Sequence, residues 1–357
     1  MVWDAVPERP GRAIRGRDKR MAKVLNINDI ARLAGVSRST VSRVLTNNKN
    51  VKLETAVKVR QAIKEVNYRP NVLARGLATG RLNIIALLLS EARHPYYLEM
   101  FERLDTDIRN RGYMLSVCYL GRNEEERCAN FRAIQQYGFA GYIIGDVRNE
   151  PAFIDELAAS TQPLVLFNRY IETLPDHDAV VVDNFEGGYM AGKHLTDLGH
   201  REFAMLTGPM RSSASRDRYR GFVTALGESG IEMKPDMVEE GNLSLAAGSG
   251  FAARLFAKNI SQCSAVFAGN DSMAVGILNY CRDNNIQVPG ELSIIGFDDL
   301  SFTGAAEFRL TTVQQPFAQL SSAAAERILA RVDGDEHPGQ RITLEPRLIV
   351  RGTTGPA

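Results

Sequence analysis

From Leu82 onward the chain repeats one pattern. A short run of β-branched or aliphatic residues is followed by a stretch with helical spacing, then by another run. The runs are Ile84–Leu89, Met114–Tyr119, Gly141–Ile144, Leu164–Phe167, Val180–Val182, Phe203–Leu206, Ala265–Ala268 and Ser293–Phe297. A strand with one wet face alternates apolar and polar residues, whereas these runs are apolar on both faces. Strands covered on both sides, with amphipathic helices between them, belong to parallel sheets. The span 82–357 is too long for one such sheet. It therefore predicts two doubly wound subdomains, an architecture that holds ligands beyond the carboxyl ends of its strands.

The residues before Leu82 follow a different logic. In residues 26–45, NINDIARLAGVSRSTVSRVL, Ile27, Ile30, Ala31 and Ala34 form one helical stripe. Asn26 or Asn28 suits its start, and Gly35 suits the turn that ends it. Ser37 then caps a second helix that turns Val41, Val44 and Leu45 inward and leaves Arg38, Ser39, Ser42 and Arg43 outside. Such a helix, apolar on a narrow seam and basic at its N-terminal end, is suited to reading a DNA major groove. A third helix, from Glu54 to Val66, has Ala56, Val59, Ile63 and Val66 on one face. Charge supports the reading. Residues 1–81 hold 18 Lys and Arg against 6 Asp and Glu, and the remainder holds 25 against 36. The overall +1 conceals a basic head on an acidic body, the distribution of a phosphate-binding module.

Residues 1–23 carry Pro, Gly and Arg without periodicity and read as a disordered extension or as the product of an upstream start codon. No apolar run approaches the length of a membrane span, and the Arg-rich start lacks the apolar segment of a secretory signal. A cytoplasmic, nucleoid-associated bacterial protein is expected. Cys118, Cys128, Cys263 and Cys281 have no CxxC spacing and read as free thiols. Residues 70–81, PNVLARGLATGR, start at a proline suited to the first turn of a helix and place Val72, Leu73 and Leu77 on one side. A helix this short is marginal alone, so the segment reads as a hinge ordered only when something else holds it.

The motifs AGVSRSTVSRVL, NYRPNVLARGLATGR, PYY, VVVDN, FAGNDSMAVG and IIGFDDLSF, in that order, resemble the lactose-repressor (LacI/GalR-type) family of transcriptional regulators. The resemblance covers about residues 24–354, and the later motifs are shared with periplasmic sugar-binding proteins. It implies a helix-turn-helix domain at 24–69, a hinge helix at 70–81, and an effector-binding and dimerisation domain at 82–357 with crossing connections between two subdomains. Arg38, Ser39 and Arg43 match base-reading positions, and Asn26, Ser37, Ser42 and Thr55 match phosphate-holding ones. Leu77 matches a leucine that wedges into the minor groove. Lys52 departs from the Ser or Thr usual at the start of the third helix, which removes one cap.

For the effector, Tyr96 and Tyr97 match an aromatic pair that stacks on a sugar or base face, and Arg169 and Arg218 match ligand-gripping arginines. Asn270 and Asp298 follow predicted strands, where such clefts collect polar groups; Gln315 and Asp146 are further candidates. Each also has a structural reading: Asp298 as a cap, Asn270 as part of a turn, the tyrosines as core. The implied function is a homodimeric repressor on a near-palindromic operator, controlled by a sugar, sugar acid or sugar phosphate. The alternative within the family is a co-repressor-dependent or activating regulator with a nucleobase-type ligand or protein partner. No cofactor is implied. An enzyme is disfavoured, since the chain has no phosphate loop, HExxH or GxSxG motif and its five histidines lack metal-ligand spacing. Asp298 and Asp299, adjacent at one strand end, point apart. A transport-linked binding protein would not carry the basic head. Residues 337–357 lack heptad spacing, which favours a dimer over a higher oligomer.

Overall fold

A computed structural model describes residues 26–45, 51–66, 68, 81–90, 94–145, 147–257 and 263–357. The extension, nearly all of the 70–81 segment including Leu77, and Asp146 lie outside the described residues.

The head is three helices, α1 (Ile27–Ala34), α2 (Arg38–Leu45) and α3 (Leu53–Glu65). Asn26 begins α1 with a capping box. Its Oδ1 accepts from the Asn28 and Asp29 amides at 2.9 and 3.3 Å, while Asp29 Oδ2 accepts from the Asn26 amide at 3.0 Å. Gly35 ends α1 at φ 64°, a left-handed conformation that glycine adopts without penalty. The tight turn releases the chain into α2, where Ser37 Oγ accepts from the Thr40 amide at 3.1 Å. Lys52 provides α3 with no side-chain cap. Ile30, Ala31, Val41, Val44, Val59 and Ala62 form the core, with Leu45 and Tyr68 packed against it.

The larger unit contains two sheets of six strands. The first comprises β1 (Leu82–Leu89), β2 (Met114–Tyr119), β3 (Phe139–Ile144), β4 (Leu164–Phe167), β5 (Asp178–Val182) and β11 (Arg341–Leu344). Its order is β11-β5-β4-β3-β1-β2, parallel throughout. The second comprises β6 (Phe203–Thr207), β7 (Val238–Glu240), β8 (Ala265–Ala268), β9 (Ser293–Asp298), β10 (Thr311–Gln314) and β12 (Arg347–Ile349). Its order is β12-β10-β9-β8-β6-β7, and only β12 runs antiparallel.

The helices that cover the first sheet are α4 (Pro95–Asn110), α5 (Glu124–Gln135), α6 (Pro151–Ala158) and α11 (Phe317–Val332). Those of the second are α7 (Asn184–Asp197), α8 (Ser213–Glu228), α9 (Leu245–Ala257) and α10 (Asp271–Asp283). Strand β1 shows why its sequence is continuously apolar. Ile85, Leu87 and Leu89 face the layer of α4 and α11, while Ala86 and Leu88 face that of α5 and α6. The chain crosses between the subdomains after β5, after β10 and after β11, so the cleft between them has three strands of covalent hinge.

All eight predicted strands are present, within two residues at each end. Four more, β7, β10, β11 and β12, carry polar or half-exposed sequences such as VEE, TTVQ, RITL and RLI. Three of these lie at a sheet edge and the fourth, β10, lies beside one, where the apolar signal that marks a central strand is weakest.

Candidate functional site

On the head, Ser37, Arg38, Ser39, Ser42 and Arg43 are exposed, and Thr55 is half-buried near the start of α3. The α2 residues project from a helix whose opposite face, Val41 and Val44, is buried. Ser37 Oγ lies 2.8 Å from the hydroxyls of both Ser39 and Thr40, so the first turn of α2 presents a linked hydroxyl cluster beside Arg38. Asn26 spends its side chain on the cap of α1 while remaining exposed.

In the larger unit a cleft between the subdomains is lined by residues from six places. His94, Tyr96 and Tyr97 come from the start of α4, and Asn168 and Arg169 follow β4. Ser212, Ala214, Ser215 and Arg218 come from the start of α8, and Leu243 from the loop before α9. Asn270 and Asp298 stand at the ends of β8 and β9. Every strand involved contributes from its carboxyl end. Six of the eight residues expected for the effector meet here. Gln315 stands directly behind Asp298, and Asp146 is outside the described residues.

Arg218 is held at several points before any ligand arrives. Its guanidinium lies 3.6 Å over the Phe297 ring, Nε donates to Asn184 Oδ1 at 2.8 Å, and Nη1 donates to the Gly269 carbonyl at 2.6 Å. Nη2 is left 3.8 Å from Asp298 Oδ1. The approach of α8 that brings Arg218 in depends on glycine. A Cβ at Gly188 on α7 would collide with the Arg218 backbone, and one at Gly221 with that of Phe185. Burial pulls the guanidinium pKa down, and Asp298 opposes that shift.

Burial pushes the Asp298 carboxyl up to about 6, against the Arg218 charge and the bond from Gln315. Gln315 Nε2 donates to Asp298 Oδ1 at 2.6 Å, and Gln315 Oε1 lies 3.5 Å from the Tyr96 hydroxyl of the other subdomain. Asp298 sits at φ 125° and Asn168 at φ 64°, left-handed positions that a non-glycine residue holds at a cost of about 1–3 kcal/mol. As expected, Asp299 turns away from Asp298, to Arg351 and Gln314 at 2.6 and 2.7 Å.

The capping role and the cleft role coincide at Asn270. Its Oδ1 accepts from the Met273 amide at 3.0 Å, which fixes the amide, and Nδ2 donates to the Leu243 carbonyl at 3.1 Å. The same Nδ2 lies 2.9 Å from His94 Nε2 across the cleft. The tyrosines likewise belong to both core and cleft. Tyr97 donates to the Gly145 carbonyl at 2.7 Å, and the Tyr96 ring meets Tyr97 and Phe317 edge-on at 5.3 and 5.2 Å. Arg169 is buried, with Nη1 3.4 Å from the Val147 carbonyl. Asn168 Oδ1 and Ser212 Oγ, buried in the lining, have no hydrogen-bond partner.

The open volume within the cleft is about 40 Å³, enough for two or three waters. Direct bonds hold the subdomains together around it: Ser301 N to Glu99 Oε1 at 2.8 Å, Tyr170 N to Ser213 Oγ at 3.0 Å, and Tyr170 Oη to Asp217 at 2.9 Å. Under the cleft floor, Asp271 is buried and accepts from Thr312 Oγ1, the Leu300 amide and Thr303 Oγ1 at 2.6, 2.9 and 3.1 Å. Burial and the nearby Asp298 push its carboxyl up to about 8.

His94, Asn168, Ser212, Ser215 and Leu243 line the cleft without having been singled out in the sequence. His94 had a signal, since a residue before proline at a helix start is a natural cap, and its Nδ1 lies 3.3 Å from the Tyr96 amide. Asn168 had a weak one, since asparagine is the non-glycine residue that most readily takes positive φ, and Leu243, also at positive φ, had none.

Residues 26–71 match the bacterial regulatory proteins of the lacI family, and residues 193–354 match a periplasmic binding protein-like domain. The HTH-type transcriptional regulator DegA of Bacillus subtilis is 32% identical over 92% of this chain and 98% of its own length. This chain belongs to the lacI family. The HTH-type transcriptional repressor PurR of Pasteurella multocida is 30% identical over 91% of this chain and 97% of its own. A crystal structure of the Lac repressor dimer bound to operator and the anti-inducer ONPF superposes with a TM-score of 0.82. It shares 26% identity over 93% of this chain and all of that one. The lacI-family member described here is thus a DNA-binding transcriptional repressor by descent, and its relatives are regulators rather than enzymes. Among the described residues no helix is long and apolar enough to cross a membrane.

Proposed function

We propose that this cytoplasmic protein is a homodimeric repressor whose hold on a near-palindromic operator is set by a small polyhydroxylated effector, a sugar, sugar acid or sugar phosphate, in the cleft. One observation carries the ligand class. Arg218 and Asp298 stand side by side as buried donor and acceptor, with Asn168 Oδ1 and Ser212 Oγ unpartnered in the same lining. A ligand hydroxyl both donates and accepts, so a polyol satisfies this mixture where an apolar ligand leaves it unpaired. The tyrosine rings at the cleft favour a second reading, a nucleobase-type ligand acting as co-repressor.

Arg38, Ser39 and Arg43 read base edges; Asn26, Ser37, Ser42 and Thr55 hold phosphates; Leu77 wedges into the minor groove. The second copy docks along edge strand β2 and α4, where Met114, Val117, Tyr119 and Leu98 are exposed apolar side chains. Linkage requires the effector and the operator to change each other's affinity by the same factor. The test is fluorescence anisotropy on DNA from the gene's upstream region, across a salt series and a panel of sugars, sugar acids, sugar phosphates and nucleobases. Release of a palindromic site by a polyol supports the reading, tightening by a nucleobase replaces it with the second, and unchanged affinity with the true ligand bound sinks both.

A further inference from the structure

Helix α11 starts at the cleft and ends at the residue that leads into the DNA-binding end of the chain. Phe317, its first residue, meets the Tyr96 ring, and Gln315 just before it bonds Asp298. Sixteen residues make it about 24 Å long. At its far end the Val332 carbonyl accepts a 3.0 Å hydrogen bond from Nη1 of Arg81. The last carbonyls of a helix have no partner within it, and a cation there suits the helix dipole. Arg81 directly follows residues 70–80 in the chain and precedes β1.

Between its ends α11 is fixed along its whole length. Ser321 Oγ donates to the Met100 carbonyl at 3.0 Å, and Ser322 Oγ to Asp107 at 2.7 Å, both on α4. Arg327 and Arg331 converge on Asp178 Oδ2 at 2.9 and 2.6 Å. Leu320, Ala324, Ile328 and Val332 are buried in the layer between α4 and the first sheet. A close-packed helix of this kind transmits a displacement at one end instead of absorbing it.

We propose that Arg81 is a positioning residue: through Val332 it takes the state of the effector cleft from α11 and imposes it on the segment that joins the head. The proposal rests on the cleft being the regulatory site, but its test needs no effector. Operator affinity of the full-length protein is measured, on a duplex selected from random sequence, for wild type, Gln315→Ala, Arg81→Ala and the double variant. Gln315→Ala is expected to change Kd by about five-fold or more when Arg81 is present, the lower end of known allosteric couplings. In the Arg81→Ala background the change is expected to shrink below about two-fold, the usual limit of additivity.

Arg81→Lys, which keeps a cationic donor for the carbonyl, is expected to restore the larger effect. A purely structural Arg81 would instead shift all affinities by one common factor. Equal effects of Gln315→Ala in both backgrounds, or no effect in either, overturn the proposal. Tyr96→Phe, which removes only the hydroxyl facing Gln315, replaces Gln315→Ala if that variant melts early. Coupling through Arg81 combined with a ligand panel that never alters DNA binding would leave this contact standing and sink the small-molecule reading alone.

Discussion

The DNA-binding head and the effector cleft solve opposite problems. The head has a core of six buried side chains, and its reading residues Arg38, Ser39, Ser42 and Arg43 are exposed on one helix. Its chemistry is presented outward and partnered only when a duplex arrives. The cleft buries Arg218, Asp298, Asn270 and Arg169, and fixes each to protein partners beforehand. In the head, stability and function occupy different faces of the same helix. At these four cleft residues they share the same side chains, so a change at one of them alters recognition and the fold together.

The sharpest way to break that contrast is Arg218→Ala. It removes the partner of a buried carboxylate and orphans Asn184 Oδ1 and the Gly269 carbonyl. A loss of about 3–5 kcal/mol in the stability of the larger unit is expected, read by denaturant unfolding. Arg218→Lys should not rescue it, since one ammonium cannot reach three fixed sites. A fully stable Arg218→Ala protein would mean that the cleft is as separable from its scaffold as the head is.

The next effect is a pH dependence. Asp271 and Asp298 have folded pKa values of about 8 and about 6, above their ordinary 3.8. The folded state therefore binds these protons more tightly than the unfolded one. Their contribution to stability is full on the acid side of the ordinary value. It is lost as pH rises through the window ending near 6 for Asp298 and near 8 for Asp271. From pH 5 to 8 the Tm of the larger unit should fall by several degrees, and Asp271→Asn should flatten the fall. An unchanged fall in the variant would show that the three donors around Asp271 hold it ionised across this range.

The same contrast decides what was legible in the sequence. The head is local: Asn26, Gly35 and Ser37 announce caps and a turn within a dozen residues, and each does in the structure what its type predicts. The central strands were legible because burial on both faces leaves an unbroken apolar run. Edge strands such as RITL and VEE were not, since half-exposed strands keep polar residues. Most of the cleft was legible only through resemblance; the strand pattern by itself pointed to Asn270 and Asp298. Arg218 lies 80 residues from Asp298, and nothing in either segment's periodicity says that they meet. Asn168, Ser212 and Leu243 stayed hidden because what places them is backbone geometry after strands, which residue type encodes weakly at best.

On the head the expected effects are smaller and confined to binding. Arg38→Ala should cost about 1–3 kcal/mol at one base-pair position, with folding unchanged. Comparing Kd across single-base operator variants checks it. An equal loss on every sequence would move Arg38 from base reading to phosphate binding.

The smallest effect tests whether stability and recognition are separable at the head. Lys52 begins α3 without a side-chain cap and places a cation where the helix dipole disfavours one. Lys52→Ser should supply an acceptor for the orphaned amides of the first turn and stabilise the head by about 0.5–1 kcal/mol. Hydrogen exchange at the buried Val59 amide in the full chain reads that gain. If the lysine also faces a phosphate, the variant loses about one unit from the slope of log affinity against log salt. The expected result is thus a head that is more protected yet binds operator more weakly at low salt. Stability and binding rising together would place Lys52 away from the DNA and leave the missing cap as a plain cost to the fold.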